Sequence, residues 1–321
     1  MEPMVAGIDI AKRKFDVVLL GGGKEKHGSF HNTEEGFAAF TRWLQQEGID
    51  HVHACMEATG TYGDKLAEYL HERGHVVSVI NPARIKGFGQ GEMVRTKTDK
   101  ADARLIARFC QVMKPAPWEP MTAEIKQLRA LVRRYDELND MLSQERNRLA
   151  TAGEEVRPFI RSVINLLTKQ LDEVRRLIHR HIDQNPELRE KRDLLESIPG
   201  VGPVTSAAVL AEFGDMNRFS KAKCMASFCG LTPRHRQSGS SVRGRSRISK
   251  TGSWRIRRTL YMPAVVARSY NPALAALSTR LKERGKCTMV IIAAVMRKLV
   301  HIIYGVLKSG RPFDPQIAAA H

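Results

Sequence analysis

Apolar and polar residues keep three different rhythms along the 321-residue chain. In the first third, short apolar runs alternate with helical periods. Residues 4–10 predict a buried strand that ends at Asp9. Residues 15–20 predict a second strand, and Gly21-Gly22-Gly23 a turn. A third strand follows over 26–31, and Asn32 or Thr33 opens a helix carrying Phe37, Phe40 and Trp43. Residues 51–56 form a strand that runs straight into Glu57. Thr59-Gly60-Thr61 turns the chain into a helix through Leu66 and Leu70. A strand over 75–80 stops at Asn81-Pro82, and 99–112 is a helix. Three strands in a meander, then strand–helix–strand–helix, predict an α/β domain over 1–115, a mixed sheet covered by helices.

The second rhythm is helical. Ile125, Leu128, Val132, Tyr135, Leu138, Leu142 and Leu149 recur at three- and four-residue steps. Beyond Gly153 and Pro158 a second stripe runs through Ile160, Ile164, Leu167, Leu171, Val174 and Ile178. This a/d pattern is that of a coiled-coil seam over a middle segment, 116–193, ended by Asn185-Pro186. The seam serves equally as an intramolecular hairpin or a dimer interface. A mainly α domain over 194–321 follows, with helices alternating with loops and an apolar helix over 299–307.

Charge changes this picture. The net charge is +18 with a pI near 10.0, and residues 201–321 hold 21 Lys and Arg against Glu212, Asp215, Glu283 and Asp314. Nearly all the excess therefore sits in the last domain, where no acid falls between Asp215 and Glu283. Such a segment points to a polyanion, nucleic acid or an acidic membrane surface. No unbroken apolar run approaches the ~18 residues that span a bilayer, and the N-terminus lacks a signal-peptide pattern. Nucleic acid is the expected partner, with no membrane. Cys55, Cys110, Cys224, Cys229 and Cys287 are scattered and odd in number, with no C-x-x-C pair, as expected of reduced thiols in a cytoplasmic protein.

Four acids carry the candidate chemistry. Asp9 and Glu57 end strands that, as sheet neighbours, would share an edge. Asp99 and Asp102 share one helix face, with Ile106 and Phe109 continuing it. An oxygen-only set suits Mg²⁺, and two ions about 3.5–4 Å apart can clamp both oxygens of a phosphodiester displacement. The order of strands and acids resembles the RNase H-like fold, most closely its RuvC-like branch of Holliday-junction resolvases.

Two further motifs lie in the basic domain. Ile198-Pro199-Gly200-Val201-Gly202 between helical patterns reads as a helix-hairpin-helix turn, with Gly200 and Gly202 letting the backbone approach phosphate; a tight interhelical turn with no ligand has the same pattern. Ser238 lies in a loop with Arg234, Arg236, Arg243, Arg245 and Arg247 around it. A loop serine is ordinarily a polar spacer; the arginines could hold phosphate and stabilise developing charge.

Taken in order, five motifs carry a closer resemblance: Gly7-Ile8-Asp9-Ile10-Ala11-Lys12, Glu57-Ala58-Thr59-Gly60-Thr61-Tyr62, Lys97-Thr98-Asp99-Lys100-Ala101-Asp102-Ala103, Ile198-Pro199-Gly200 and Ser238-Gly239-Ser240-Ser241-Val242-Arg243-Gly244. Together they resemble the DEDD insertion-sequence transposases of the IS-one-ten type, also called bridge-RNA-guided recombinases, over nearly the whole chain. The resemblance implies that Asp9, Glu57, Asp99 and Asp102 bind Mg²⁺ and that Ser238 attacks the scissile phosphate to form a phosphoserine. It also implies tetramers (dimers of dimers) with an active site shared between protomers, and a noncoding bridge RNA that selects donor and target DNA. Strands would exchange through a Holliday junction in a prokaryotic cytoplasm. The alternatives are an Mg-dependent, structure-selective nuclease that needs the acids but not Ser238, an invertase that needs no RNA, and a non-enzymatic nucleic-acid scaffold.

Overall fold

A computed structural model describes residues 4–58, 60–93, 97–238 and 242–316. The first strand, β1 (Val5–Ile10), is the centre of a five-stranded sheet. It pairs antiparallel with β2 (Lys14–Gly21), which pairs antiparallel with β3 (Lys24–His31). On its other side β1 runs parallel to β4 (His53–Glu57), and β4 to β5 (Val76–Ile80), giving the order β3-β2-β1-β4-β5. This mixed sheet with helices on both faces fits the RNase H-like fold.

Alternation along the strands sorts the two faces. Ala6, Ile8, Phe15, Val17, Leu19, Ala54 and Met56 face α1 (Glu34–Gln46) and α2 (Asp64–Glu72), burying Phe37, Phe40, Leu66 and Leu70. Thr33 caps α1 by accepting a hydrogen bond from the Gly36 amide. Val5, Val18, Cys55 and Ile80 face α4 (Asp99–Met113), through Ala103, Ile106, Ala107 and Cys110. Asn81-Pro82 does not end in a loop. Asn81 caps α3 (Pro82–Gly91), with Pro82 at its first position, where a missing N–H costs nothing.

The chain divides into two compact units, 1–120 and 121–321. The second begins with two long helices, α5 (Ala123–Thr151) and α6 (Arg157–Gln184), which pack on each other as a hairpin. Leu138 and Leu142 meet Leu167 and Leu171 in a small cluster, and His181 bonds the Glu124 carbonyl at the other end. Leu128, Val132, Ile178 and Ile182 join the main core of this unit. Pro186 opens α7 (Pro186–Glu196) instead of closing the helical segment. The buried α8 (Pro203–Phe213) follows, then α9 (Ala222–Phe228).

The serine segment is not a loop in this domain. It is a two-stranded ribbon, β6 (Pro233–Ser238) paired antiparallel with β7 (Val242–Ile248). Four helices complete the unit: α10 (Trp254–Thr259), α11 (Tyr261–Tyr270), α12 (Pro272–Glu283) and α13 (Thr288–Ser309). By length and composition α13 could cross a membrane, although no unbroken apolar run flags it. It behaves as a core helix, burying Val295, Leu299, Val300 and Ile303 against α7, α9, α11 and α12.

Candidate active site

The acids are brought together by the way α4 lies on β1. Gly7 has no side chain, and a Cβ there would stand 2.1 Å from the Ala107 amide nitrogen and 2.2 Å from the Ala103 carbonyl. The helix therefore rests directly on the strand backbone. Arg104 on α4 also reaches Glu25 on β3, donating from Nε at 2.8 Å. Thr98 caps α4 by accepting from the Ala101 amide, which puts Asp99 and Asp102 in its first turn. Asp9 is two residues along β1 from Gly7 and on the same face. In the parallel pair Ile8 stands beside Met56, so Asp9 and Glu57 are the next residues along the two strands.

The electrostatics follow from that crowding. Burial, then the charges of Asp102, Asp99, Glu57 and Asp16, push the Asp9 carboxyl up to about 6. Burial and Asp102 raise Glu57 as well. Asp99 goes the other way, held low by the Lys14 ammonium, which donates to it at 2.7 Å.

Asp16 and Lys14 are the members that sequence reasoning missed. Asp16 is directly opposite Asp9 across the β1–β2 pair, and only 5% exposed. It accepts from Lys14 Nζ at 2.9 Å, and His27 Nε2 lies 3.1 Å from its other oxygen. Lys14 thus links a buried acid to an exposed one. The signal was there in the strand alternation, which puts Asp16 on a covered face between Phe15 and Val17.

Among the described residues no three carboxylates, histidines or cysteines converge closely enough to hold an ion in this arrangement. The donor set still fits a hard divalent cation in kind. All four candidate ligands are carboxylates, and in Asp9 and Glu57 burial, then neighbouring negative charge, destabilises the ionised form, which a cation would relieve.

In the second unit, Arg234 and Arg247 stand directly opposite each other across the ribbon, both exposed. Like charges so placed repel unless an anion lies between them. Ser238 ends β6 and pairs with Val242. The side chains of Ser238, Arg236, Arg243 and Arg245 lie outside the described residues, as do Gly239, Ser240 and Ser241. The two glycines of the Ile198–Gly202 turn differ. Gly200 has φ +98°, and a Cβ there would meet that of Ala267 on α11 at 2.7 Å, so packing alone requires glycine. Gly202 is free of neighbours and precedes α8.

Two family models cover most of the chain. One, described as "Transposase" of the DEDD, IS110 type, matches residues 6–158; the other, described as "Transposase IS116/IS110/IS902 family", matches 192–279. A "Pilin gene-inverting protein" of Moraxella bovis is 36% identical over 99% of both chains. The chain belongs to the IS110-type DEDD transposases. Another relative is the "Transposase for insertion sequence element IS1328" of Yersinia enterocolitica, 26% identical over 96% of this chain and 98% of its own. Among solved structures, "T. thermophilus RuvC in complex with Holliday junction substrate" aligns with 36% of this chain and 98% of its own, at 15% identity and a TM-score of 0.27, too low to add to the topology. Membership makes this a DNA-processing enzyme of the transposase and recombinase class, and the acid cluster on β1, β4 and α4 falls inside the segment that the DEDD match spans.

Proposed function

We propose that the chain cuts and rejoins donor and target DNA with a composite site, four carboxylates from the first unit and Ser238 from the second. The observation that carries this reading is the gathering of Asp9, Glu57, Asp99 and Asp102 where α4 begins over the ends of β1 and β4. In it, these four acids hold Mg²⁺, as a two-ion site. Bound there, the metal supplies Lewis-acid stabilisation of the charge that builds on phosphate oxygens. The Ser238 hydroxyl attacks the scissile phosphorus, a P–O bond to deoxyribose breaks, and the released hydroxyl takes a proton. A hydroxyl of the second strand then attacks the phosphoserine, and the serine oxygen leaves with a proton. The ester conserves the bond, so rejoining through a Holliday junction needs no external energy source. Arg234, Arg236, Arg243, Arg245 and Arg247 hold phosphate around the serine, and Gly200 and Gly202 flank a further backbone contact. A noncoding bridge RNA selects both DNAs, and a homotetramer assembles the two halves of each site from different protomers.

The test is an adduct assay. With labelled donor DNA, Mg²⁺ and the RNA transcribed from the flanking noncoding DNA, the wild type forms a covalent protein–DNA band. Ser238→Ala forms none. An adduct of undiminished yield overturns the serine assignment, and cleavage without an adduct by Ser238→Ala supports a metal-dependent nuclease instead.

A second reading has its own support. The Moraxella relatives are named for gene inversion and match end to end. In that reading the chain inverts a DNA segment without a guide. A plasmid carrying the flanking sequences as inverted repeats separates the two: inversion that persists after ribonuclease treatment favours the RNA-independent invertase.

A further inference from the structure

The helices of the second unit carry a group of cations that neither the serine ribbon nor the interhelical turn includes. Arg297, Lys298 and His301 lie on α13, and 297 and 301 are one turn apart on one face. Lys223 comes from α9 and Arg280 from α12, two of the four helices packed on α13. Among the described residues, none of the five forms an ion pair or a side-chain hydrogen bond. Arg297 Nη1 and His301 Nε2 are buried with no partner at all. None of α9, α11 and α13 carries an acid; the acids on the other two helices packed on α13, exposed Glu283 on α12 and Glu187, Glu190, Asp193 and Glu196 on α7, pair with none of them.

Their charges act on one another. Burial, then Arg297, Lys298 and Lys223, hold the His301 imidazole below its ordinary value. Burial and Arg280 lower Lys298. Buried nitrogens without partners cost a folded protein free energy, and a group of like charges adds repulsion. Such a group persists in a folded chain when a ligand supplies the missing acceptors. Two arginines and two lysines only donate, and the imidazole offers a ring N–H, which together complement a tetrahedral oxyanion.

We propose that Arg297, Lys298 and His301, with Lys223 and Arg280 at the margin, form a phosphate-binding site that takes the sugar–phosphate backbone of nucleic acid. The assignment to a polymer rests on the recombinase reading and on the acid-free stretch between Asp215 and Glu283 that contains α9 and all of α12 but its last residue. The contact is to phosphate and so independent of base sequence.

The full-length protein tests this by fluorescence anisotropy with a labelled DNA duplex and, separately, a single-stranded RNA, over a range of salt. The variant is Arg297→Gln with Lys298→Gln; the control, Arg284→Gln with Lys286→Gln, removes the same charge from an exposed loop. The site variant should lose about tenfold or more in affinity for at least one polymer. Its log K against log salt should flatten by roughly one to two units, since each phosphate contact contributes about 0.7–0.9. The control should lose no more than about threefold. Inorganic pyrophosphate should raise the melting temperature of the wild type and not of the site variant. If the double variant melts lower, Lys298→Gln and His301→Gln singly give the same readouts. Equal binding by site variant and control overturns the site while leaving the recombinase reading intact. A wild type that binds neither polymer overturns that reading, and the proposal with it. Stabilisation by pyrophosphate with unchanged polymer binding makes the occupant a free anion and overturns the nucleic-acid assignment.

Discussion

Asp16 stands directly opposite Asp9 across the β1–β2 pair, so two carboxylates share one face of the sheet although only one belongs to the acid set that the sequence motifs mark. The second accepts a hydrogen bond from Lys14 and lies 3.1 Å from His27 Nε2, and Lys14 is shared with Asp99. A cation arriving among the four acids must take Asp99 from Lys14, and Asp16 is where the ammonium is left. Lys14→Met should therefore tighten Mn²⁺ binding by about two- to fivefold, the scale of a solvent-screened pair. Asp16→Asn should weaken it, because it removes a nearby negative charge and leaves Lys14 wholly on Asp99. Electron paramagnetic resonance of free Mn²⁺ in a titration without DNA reads both. Changes in the same direction in the two variants would refute the competition.

The raised Asp9 carboxyl gives a pH signature in the metal-free protein. Its folded value, about 6, lies above the ordinary 3.8, so folding favours the protonated form. That contribution is complete below pH 3.8 and is lost as pH rises through 6. Asp9→Asn removes the penalty that ionisation brings. In EDTA, Asp9→Asn should match the wild type near pH 3.5 and melt about 2–4 °C higher at pH 7.5, after discounting for partial exposure. Divalent metal should raise the wild-type melting temperature at pH 7.5 and leave that of Asp9→Asn nearly unchanged.

What could be read from the sequence is what local pattern encodes. The strands ending at Asp9 and Glu57 show as short apolar runs, and α4 shows through the Thr98 cap and the Asp99/Asp102 spacing. The α5–α6 stripe shows through its three- and four-residue steps, and the structure seats it within one chain. What was hidden depends on partners far along the chain. Asp16 matters because of the strand it faces. Pro82 looks like a stop, yet with Asn81 as cap it starts a helix. The β6–β7 ribbon carries arginine, glycine, serine and glutamine where a half-buried strand would alternate apolar residues, so pairing by backbone left no period-two pattern. The α13 cations are separated by 17 to 78 residues from Arg280 and Lys223, and only packing gathers them.

Gly7 sets the height of α4 above the sheet. Gly7→Ala puts a methyl group where the Ala103 carbonyl and Ala107 amide now lie, contacts that no side-chain rotation relieves. The helix must move, which should lower stability by roughly 1–3 kcal/mol. Activity should fall further than that loss explains, because Asp99 and Asp102 ride on the same helix; a displacement near 1 Å of positioned groups costs about 100-fold. Strand-transfer assays at a temperature where the variant is fully folded, judged by circular dichroism, separate the two effects. Full activity in a folded Gly7→Ala protein would mean that the height of α4 does not govern the site.

The paired glycines of the Ile198–Gly202 turn allow packing to be separated from ligand contact. Gly200 combines φ +98° with Ala267 standing where a Cβ would go, so Gly200→Ala meets both backbone strain and a clash. It should destabilise the protein by roughly 1–3 kcal/mol whether or not DNA is present. Gly202 is extended, has open space around it and caps α8 through its position alone. Gly202→Ala should therefore leave the melting temperature within about 2 °C, while the added methyl stands where a phosphate would approach the first amides of α8. If the turn holds DNA, Gly202→Ala weakens duplex binding by about threefold or more with no loss of stability. If binding is unchanged in Gly202→Ala and stability falls in Gly200→Ala, the turn serves the α7–α8–α11 packing and takes no ligand.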